Sequence, residues 1–244
     1  MPKNFSYFHL DTVESTQVEA LRLWQEKGFE LCVSAKEQTA GRGRMQRPWS
    51  SLEGNLSFSL ALTPSMEMLY SLGFLASLSI MRSIQRFMKK SDTSIVLKWP
   101  NDVLLDGAKC AGILIEYHQQ PRESLVLGIG VNICSAPEGV AYPVTSLQDQ
   151  GIACTAKELQ EAIVQEFQIL RAEWQQFGTK TIYRKWSDAA HPIGTMLNIR
   201  TVKEEFRGEY RGLTDNGNLR VIRDTGEVRE IMAADCFMVP NRET

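Results

Sequence analysis

The sequence has little to offer a membrane, a metal or an oxidising compartment. Its longest apolar stretches, such as the one around Leu72 to Ile80, are broken by serine and glycine. They stay far short of the ~20 residues a membrane span needs. The N-terminus sets His9 and Asp11 beside its few apolar residues, which leaves no signal-peptide core. Three histidines, and five cysteines without a C-x-x-C pair, provide no zinc spacing. Cys32, Cys110, Cys134, Cys154 and Cys236 are expected to be reduced, buried thiols. A basic excess is missing as well: 27 Lys and Arg face 29 Asp and Glu, for a formal charge of −2. A chain whose main partner is a nucleic acid would carry a basic stripe. The expectation is a soluble, cytoplasmic protein with neither a membrane nor a nucleic acid as partner.

What is present is ample core material. With 43% hydrophobic residues in 244, the chain can form one large domain, or a medium domain and a small companion. Thr16 and Glu19 have capping-box spacing ahead of an apolar stripe that runs to Gly28, which predicts a first helix. Strands are predicted at Leu31 to Ala35, in the alternating run Asn55 to Leu60, and at Ile95 to Trp99, Lys109 to Tyr117 and Leu125 to Ile133. A long helix is predicted from Met68 to about Met88. A second capping box, Thr155 with Glu158, opens another helix, and a short one covers Thr181 to Trp186. After His191-Pro192 the texture changes to five short strands, the last at Cys236 to Val239, with no helical pattern, as in a small barrel. The predicted division is 1–188 and 189–244.

Three segments resist a purely structural reading. Gly41-Arg42-Gly43-Arg44, followed by Arg47 and Trp49, alternates residues that cannot form a core, because the arginines refuse burial unless paired. Such a loop can surround an anion with guanidinium groups, although it lacks the order of a P-loop. Lys98-Trp99-Pro100-Asn101-Asp102 ends a buried strand with a lysine, an amide and a carboxylate. Asn101 alone is accounted for by turn chemistry. Strand alternation sets Lys109 with Ala111, Ile113 and Ile115, and sets Gly128, Gly130 and Asn132 together on one face. Glycines there clear room either for a close-packed helix or for a ligand lying on the sheet. The segments together describe an apolar slot with polar ends, an Arg-rich cover and two lysines. No Ser/His/Asp or Cys/His nucleophile set is evident.

In these segments, and in Ser15-Thr16-Gln17 before them, the chain resembles the biotin–protein ligases over nearly its whole length. The resemblance implies an α+β fold, a mixed β-sheet with helices packed on it, followed by a small SH3-like β-barrel. It implies a ligase that converts biotin and ATP, with Mg²⁺, to biotinyl-5′-AMP. The biotinyl group then goes to a lysine on the biotin carboxyl carrier domain of acetyl-CoA carboxylase or another biotin-dependent carboxylase. Ser15, Thr16 and Gln17, with Gln38, would meet the ureido end of biotin. Gln17 replaces the more usual Asn and is one methylene longer. Arg42, Gly43 and Arg44 would close over biotin and the adenylate, with Gly112 also at the biotin. Arg47 would contact phosphate, Trp49 would flank adenine or brace the loop, and Asn132 would lie on the adenine side. Lys109 would hold the biotin carboxylate and the α-phosphate. Lys98 and Asp102 would join Lys109 and Arg44 as catalytic groups, with Asp102 binding Mg²⁺. A homodimer is compatible with this family. Longer bacterial relatives carry a helix-turn-helix repressor domain ahead of this region. The first helix here starts about fifteen residues in, so the expectation is a monofunctional form that does not itself bind an operator.

Two rivals remain on the residues alone. A lipoate–protein ligase or octanoyl transferase would handle a linear acid on a related fold. A nucleic-acid module would use the Arg loop and the barrel, whose basic and acidic residues are intermixed.

Overall fold

In the computed structural model, which describes residues 5–89, 93–232 and 234–238, seven strands form one mixed sheet. In chain order these are β1 (Ser6–Val13), β2 (Leu31–Gln38), β3 (Leu56–Leu62), β4 (Ile95–Lys98), β5 (Asp102–Leu105), β6 (Ala108–His118) and β7 (Ser124–Val131). Their spatial order is β1-β2-β3-β7-β6-β5-β4. Only β1 and β2 run parallel; every other pair in this sheet is antiparallel. Helices α2 (Met66–Phe87), α3 (Ala156–Phe177) and α4 (Thr179–Asp188) lie over one face, and α1 (Thr16–Lys27) lies over the other.

Strand alternation explains this arrangement. Leu56, Phe58, Leu60 and Leu62 of β3, and Leu125, Leu127, Ile129 and Val131 of β7, point into the main core with α2 and α3. On the opposite face, Ala61 and Val126 pack under Ala20, Leu23 and Trp24 of α1. Beside this cluster the same face carries a patch of small residues: Ser57 and Ser59 on β3, Gly112 on β6, and Gly128 and Gly130 on β7. A recess floored by hydroxyls and bare backbone is left beyond the N-terminus of α1.

Thr155 and Glu158 form the anticipated capping box of α3, worth about 1 kcal/mol. At α1 the cap is Ser15, whose side chain accepts from the Gln17 amide, one residue before the Thr16 expected in that role. Thr16 is thereby free for other bonds. β1 was not evident in the sequence because it is an edge strand, exposed along most of its length. β5 has only four residues and hides behind the turn signal of Asn101 and Asp102.

The second sheet contains β8 (Met196–Arg200), β9 (Glu205–Leu213), β10 (Leu219–Arg223), β11 (Val228–Ile231) and β12 (Asp235–Met238), in the order β11-β10-β9-β8-β12. It forms the small SH3-like unit; Val239, at the end of the last predicted strand, lies outside the described residues. Leu197, Ile199, Tyr210 and Leu219 share one hydrophobic cluster with Leu97, Trp99 and Trp186. Trp99 also donates its indole N–H to the Gly217 carbonyl at 3.3 Å. Its basic residues are largely neutralised locally: Arg223 and Arg229 both pair with Glu204, and Arg220 pairs with Glu230.

All five cysteines are free. Cys32, Cys110 and Cys236 are buried as expected, and burial pushes each thiol up to about 12. Cys134 is exposed and Cys154 half-buried, because they flank the loop that follows β7. Among the described residues, no helix is long and apolar enough to cross a membrane.

Candidate active site

The recess on the α1 side of the sheet is the mouth of a cleft enclosing about 940 Å³, its opening included. Several parts of the chain converge on it: the first turn of α1, the loop after β2, Ser57 on β3, the β4–β5 turn, the β6–β7 floor, Tyr142 in the loop after β7, and the start of β12.

The first turn of α1 supplies Ser15, Thr16 and Gln17. Thr16 donates both its backbone N–H and its hydroxyl to the Gln38 side-chain oxygen Oε1, at 2.8 and 3.0 Å, and its hydroxyl lies 2.8 Å from that of Ser59. The Gln38 amide nitrogen in turn donates to Ser51. Gln38 therefore lines the cleft chiefly as a bracket for the helix start. Gln17 lies across Gly128, where an added Cβ would stand 2.9 Å from the amide carbon.

The Gly/Arg segment folds into a tight hairpin, with the Gly43 amide bonded to the Arg47 carbonyl and the Trp49 amide to the Gly41 carbonyl. Met45 and Gln46 occupy left-handed backbone at its tip, an arrangement that costs non-glycine residues energy. The three arginines diverge. Arg42 is committed to Glu116, with Nη2 at 3.1 and 3.2 Å from the two carboxylate oxygens. Arg44 reaches the Asn101 side chain and the Ala234 carbonyl, each at 3.4 Å. Arg47 pairs with Asp235 of β12. Trp49 lies on the floor, against Gly130 and Gly112.

At the other end, Asp102 sits between two ammonium groups. Lys98 donates to one oxygen at 3.1 Å. Lys109 Nζ lies 2.6 Å from the other oxygen, an ion-pair contact that is not aligned as a hydrogen bond. Burial acts to raise the Asp102 carboxyl, but the charges of Lys109 and Lys98 outweigh it and hold the group below its ordinary range.

Lys109 reaches this position by a route that differs from the simple alternation. Its partner on β5 is Leu104, while Ala111 pairs with Val103, so Cys110 is an extra residue, a β-bulge. The bulge turns Lys109 away from the core face of Ala111 and Ile113 and places it over Gly112. Its backbone is fixed by bonds to Pro143 and Thr145, and its Nζ lies 5.7 Å from the ring centroids of both Trp49 and Tyr142.

The cleft thus gathers Ser15, Thr16, Gln17, Gln38, Arg42, Gly43, Arg44, Arg47, Trp49, Lys98, Asp102, Lys109 and Gly112. Asn132 is not among its lining residues; it follows the last residue of β7, and its amide donates to the Thr145 carbonyl at 3.2 Å, holding the next loop instead. Three polar lining residues, Ser57, Tyr142 and Asp235, were missed in the sequence. Ser57 carried a signal in its alternation with leucine and phenylalanine. Tyr142 and Asp235 carried none, because only the tertiary fold brings them here.

Among the described residues, the lining holds five cationic side chains and two carboxylates, Asp102 and Asp235, each already paired with a cation. No group of three or more His, Cys, Asp or Glu among the described residues is arranged to hold a metal. Asp102, with an ammonium group against each oxygen, does not fit the role of a Mg²⁺ ligand. The cationic cluster suits a ligand with several negative charges, and the glycine floor suits a flat or compact body lying directly on the sheet.

Comparison with known proteins gives a consistent result. The biotin/lipoate A/B protein ligase family matches residues 9–132, and the biotin protein ligase C-terminal domain matches residues 193–239. The biotin–[acetyl-CoA-carboxylase] ligase of Paracoccus denitrificans is 32% identical over 238 residues, covering 93% of this chain and 98% of its own. The bifunctional ligase/repressor BirA of Bacillus subtilis is 30% identical over 236 residues, with 92% and 71% covered. Among solved structures, the biotin protein ligase of Aquifex aeolicus in complex with biotin and ATP superposes with a TM-score of 0.82 at 24% identity, covering 96% of this chain and 99% of that one.

Proposed function

The chain belongs to the biotin/lipoate A/B protein ligase family and is a biotin–protein ligase, and from that premise we propose that it works in two steps through biotinyl-5′-AMP. In the first step a carboxylate oxygen of biotin attacks the α-phosphorus of ATP, the new O–P bond forms, and pyrophosphate leaves. In the second, the ε-amine of an acceptor lysine attacks the activated carbonyl, an amide forms, AMP leaves, and the amine proton passes to solvent. The acceptor is a biotin carboxyl carrier domain, of acetyl-CoA carboxylase or another biotin-dependent carboxylase, met in the cytoplasm.

One observation supports this reading above the others: a floor of glycine and serine leads directly to a cluster of cations. Biotin, lying over Gly112 and Gly128 with its ureido end toward Ser15, Thr16 and Gln17, would direct its carboxylate at Lys109. Two anions must meet there, and Lys109, Arg44 and Arg47 would offset their repulsion and the charge that develops on the phosphoryl oxygens. Lys98 and Asp102 would hold the Lys109 ammonium in place. Trp49 would brace the loop that shields the mixed anhydride from water. Mg²⁺ would enter as the counter-ion of ATP rather than as a ligand of Asp102. We place the division between the catalytic and barrel units at 188/189.

Pyrophosphate release tests the reading. ATP with biotin should release pyrophosphate, and ATP with lipoic acid should not. The reverse preference would move the chain to the lipoate branch of the same fold.

A further inference from the structure

Glu116 has no part in the chemistry described above, yet two ligand-facing parts of the cleft meet on it. It lies on β6 on the same face as Gly112 and Leu114. Its Oε2 accepts from the Gln17 side-chain amide at 3.1 Å, and both of its oxygens lie within 3.2 Å of Arg42 Nη2. A carboxylate can only accept, so it forces the Gln17 NH₂ toward itself and the Gln17 carbonyl oxygen to the other side. That oxygen is buried against Gly128 and has no donor, although Gln17 is 4% exposed. Arg42 is in the complementary state: its Nε–H is buried and has no acceptor.

An unmet acceptor and an unmet donor, each held by the same carboxylate, cost stability until a ligand satisfies them. The matching chemical group is one that offers an N–H beside a C=O, as a cyclic urea does. We propose that Glu116 is a positioning residue that sets the cleft's preference for a ureido head, by fixing which end of the Gln17 amide and which edge of the Arg42 guanidinium are left for the ligand. The proposal rests on the biotin reading of the site and assigns the residue that enforces it. A glutamine at 116 would present an NH₂ as readily as an oxygen, so the Gln17 amide could turn over and the selectivity would fall.

The test compares biotin with biotin methylated on both ureido nitrogens, which cannot donate. Binding is followed by calorimetry and activity by pyrophosphate release. Wild-type enzyme should prefer biotin by about tenfold or more. In Glu116→Gln the ratio should fall toward one, with the change in KM for biotin exceeding the change in kcat. Glu116→Asp, which can still only accept, should keep part of the preference. Gln17→Met removes the acceptor together with the amide's bond to Glu116, while leaving the carboxylate and its Arg42 contact in place, and should lose the preference as well, which covers the case in which Glu116→Gln fails to fold. A wild-type ratio retained in Glu116→Gln or in Gln17→Met would overturn the role of Glu116. Wild-type enzyme that bound no biotin would overturn the reading of the site, and this role with it.

Discussion

The Lys109 side chain lies over Gly112, its Nζ 3.2 Å from where a Cβ on that glycine would stand. The two are three positions apart, and an unbroken strand would put them on opposite faces. The bulge at Cys110 brings them together, delivering a lysine to the end of the glycine floor without a break in the sheet. Lys109→Ala should therefore cut biotin-dependent pyrophosphate release by about 100-fold or more and weaken biotin binding. The thermal midpoint should move little, because Asp102 keeps Lys98. Wild-type pyrophosphate release in this variant would refute the assignment.

Gly130 makes room for Trp49. A Cβ there would stand 2.6 Å from the indole nitrogen, well inside van der Waals contact. Gly130→Ala should push the hairpin of residues 41–49 off the floor and cost about 1–3 kcal/mol of stability. The apparent affinity for both biotin and ATP should fall together. Calorimetric titration of each substrate checks this; an unchanged affinity for both would show that Trp49 is not part of the closed site.

Arg44 is the arginine of the hairpin that no carboxylate holds among the described contacts; it rests on Asn101 and the Ala234 carbonyl. Replacing it with glycine removes a clamp and adds backbone freedom. Lys109 remains for the first step, so Arg44→Gly should still make the acyl-adenylate but release it. In a mixture with ATP, biotin, carrier domain and an unrelated lysine-rich protein, a biotin blot should show the bystander labelled. A clean bystander with normally labelled carrier would show that Arg44 does not retain the intermediate.

His191 is buried beside the interface of the two sheets, and desolvation, aided by the Lys98 charge, lowers its pKa to about 4. The unfolded chain takes up this proton near pH 6.5. Between those values the unfolded state holds the extra proton, so the contribution of the neutral histidine is full above pH 6.5 and is lost as pH falls toward 4. About 2–3 kcal/mol is at stake. Urea midpoints measured from pH 7.5 to 4.5 should fall less steeply in His191→Gln than in the wild type. Parallel curves would contradict the assignment.

The capped helices were legible because Thr155 and Glu158, or Ser15 one residue from its expected place, announce a helix start locally. The catalytic segments were legible because lysines and glycines on a buried strand need a reason to be there. Tertiary register was not legible. Nothing in Lys109-Cys110-Ala111 marks an extra residue, so Lys109 was expected beside Ala111 and Ile113. Asp235 is 188 residues from Arg47 in the chain, and only packing of the barrel onto Trp99 brings them together. Asn132 continues the glycine alternation in sequence, but the strand ends at Val131 and its side chain turns to Thr145.

The central claim is that the cleft both makes and keeps an acyl-adenylate. The direct measurement is single-turnover rapid quench with radiolabelled biotin and ATP, first without and then with carrier domain, followed by gel filtration of the unquenched mixture. Without carrier, one biotinyl-5′-AMP should form per enzyme and travel with the protein peak. On adding carrier it should disappear as one lysine gains a biotinyl group. Carrier labelling without any adenylate, or an adenylate found only in the small-molecule fraction of the wild type, would contradict the account.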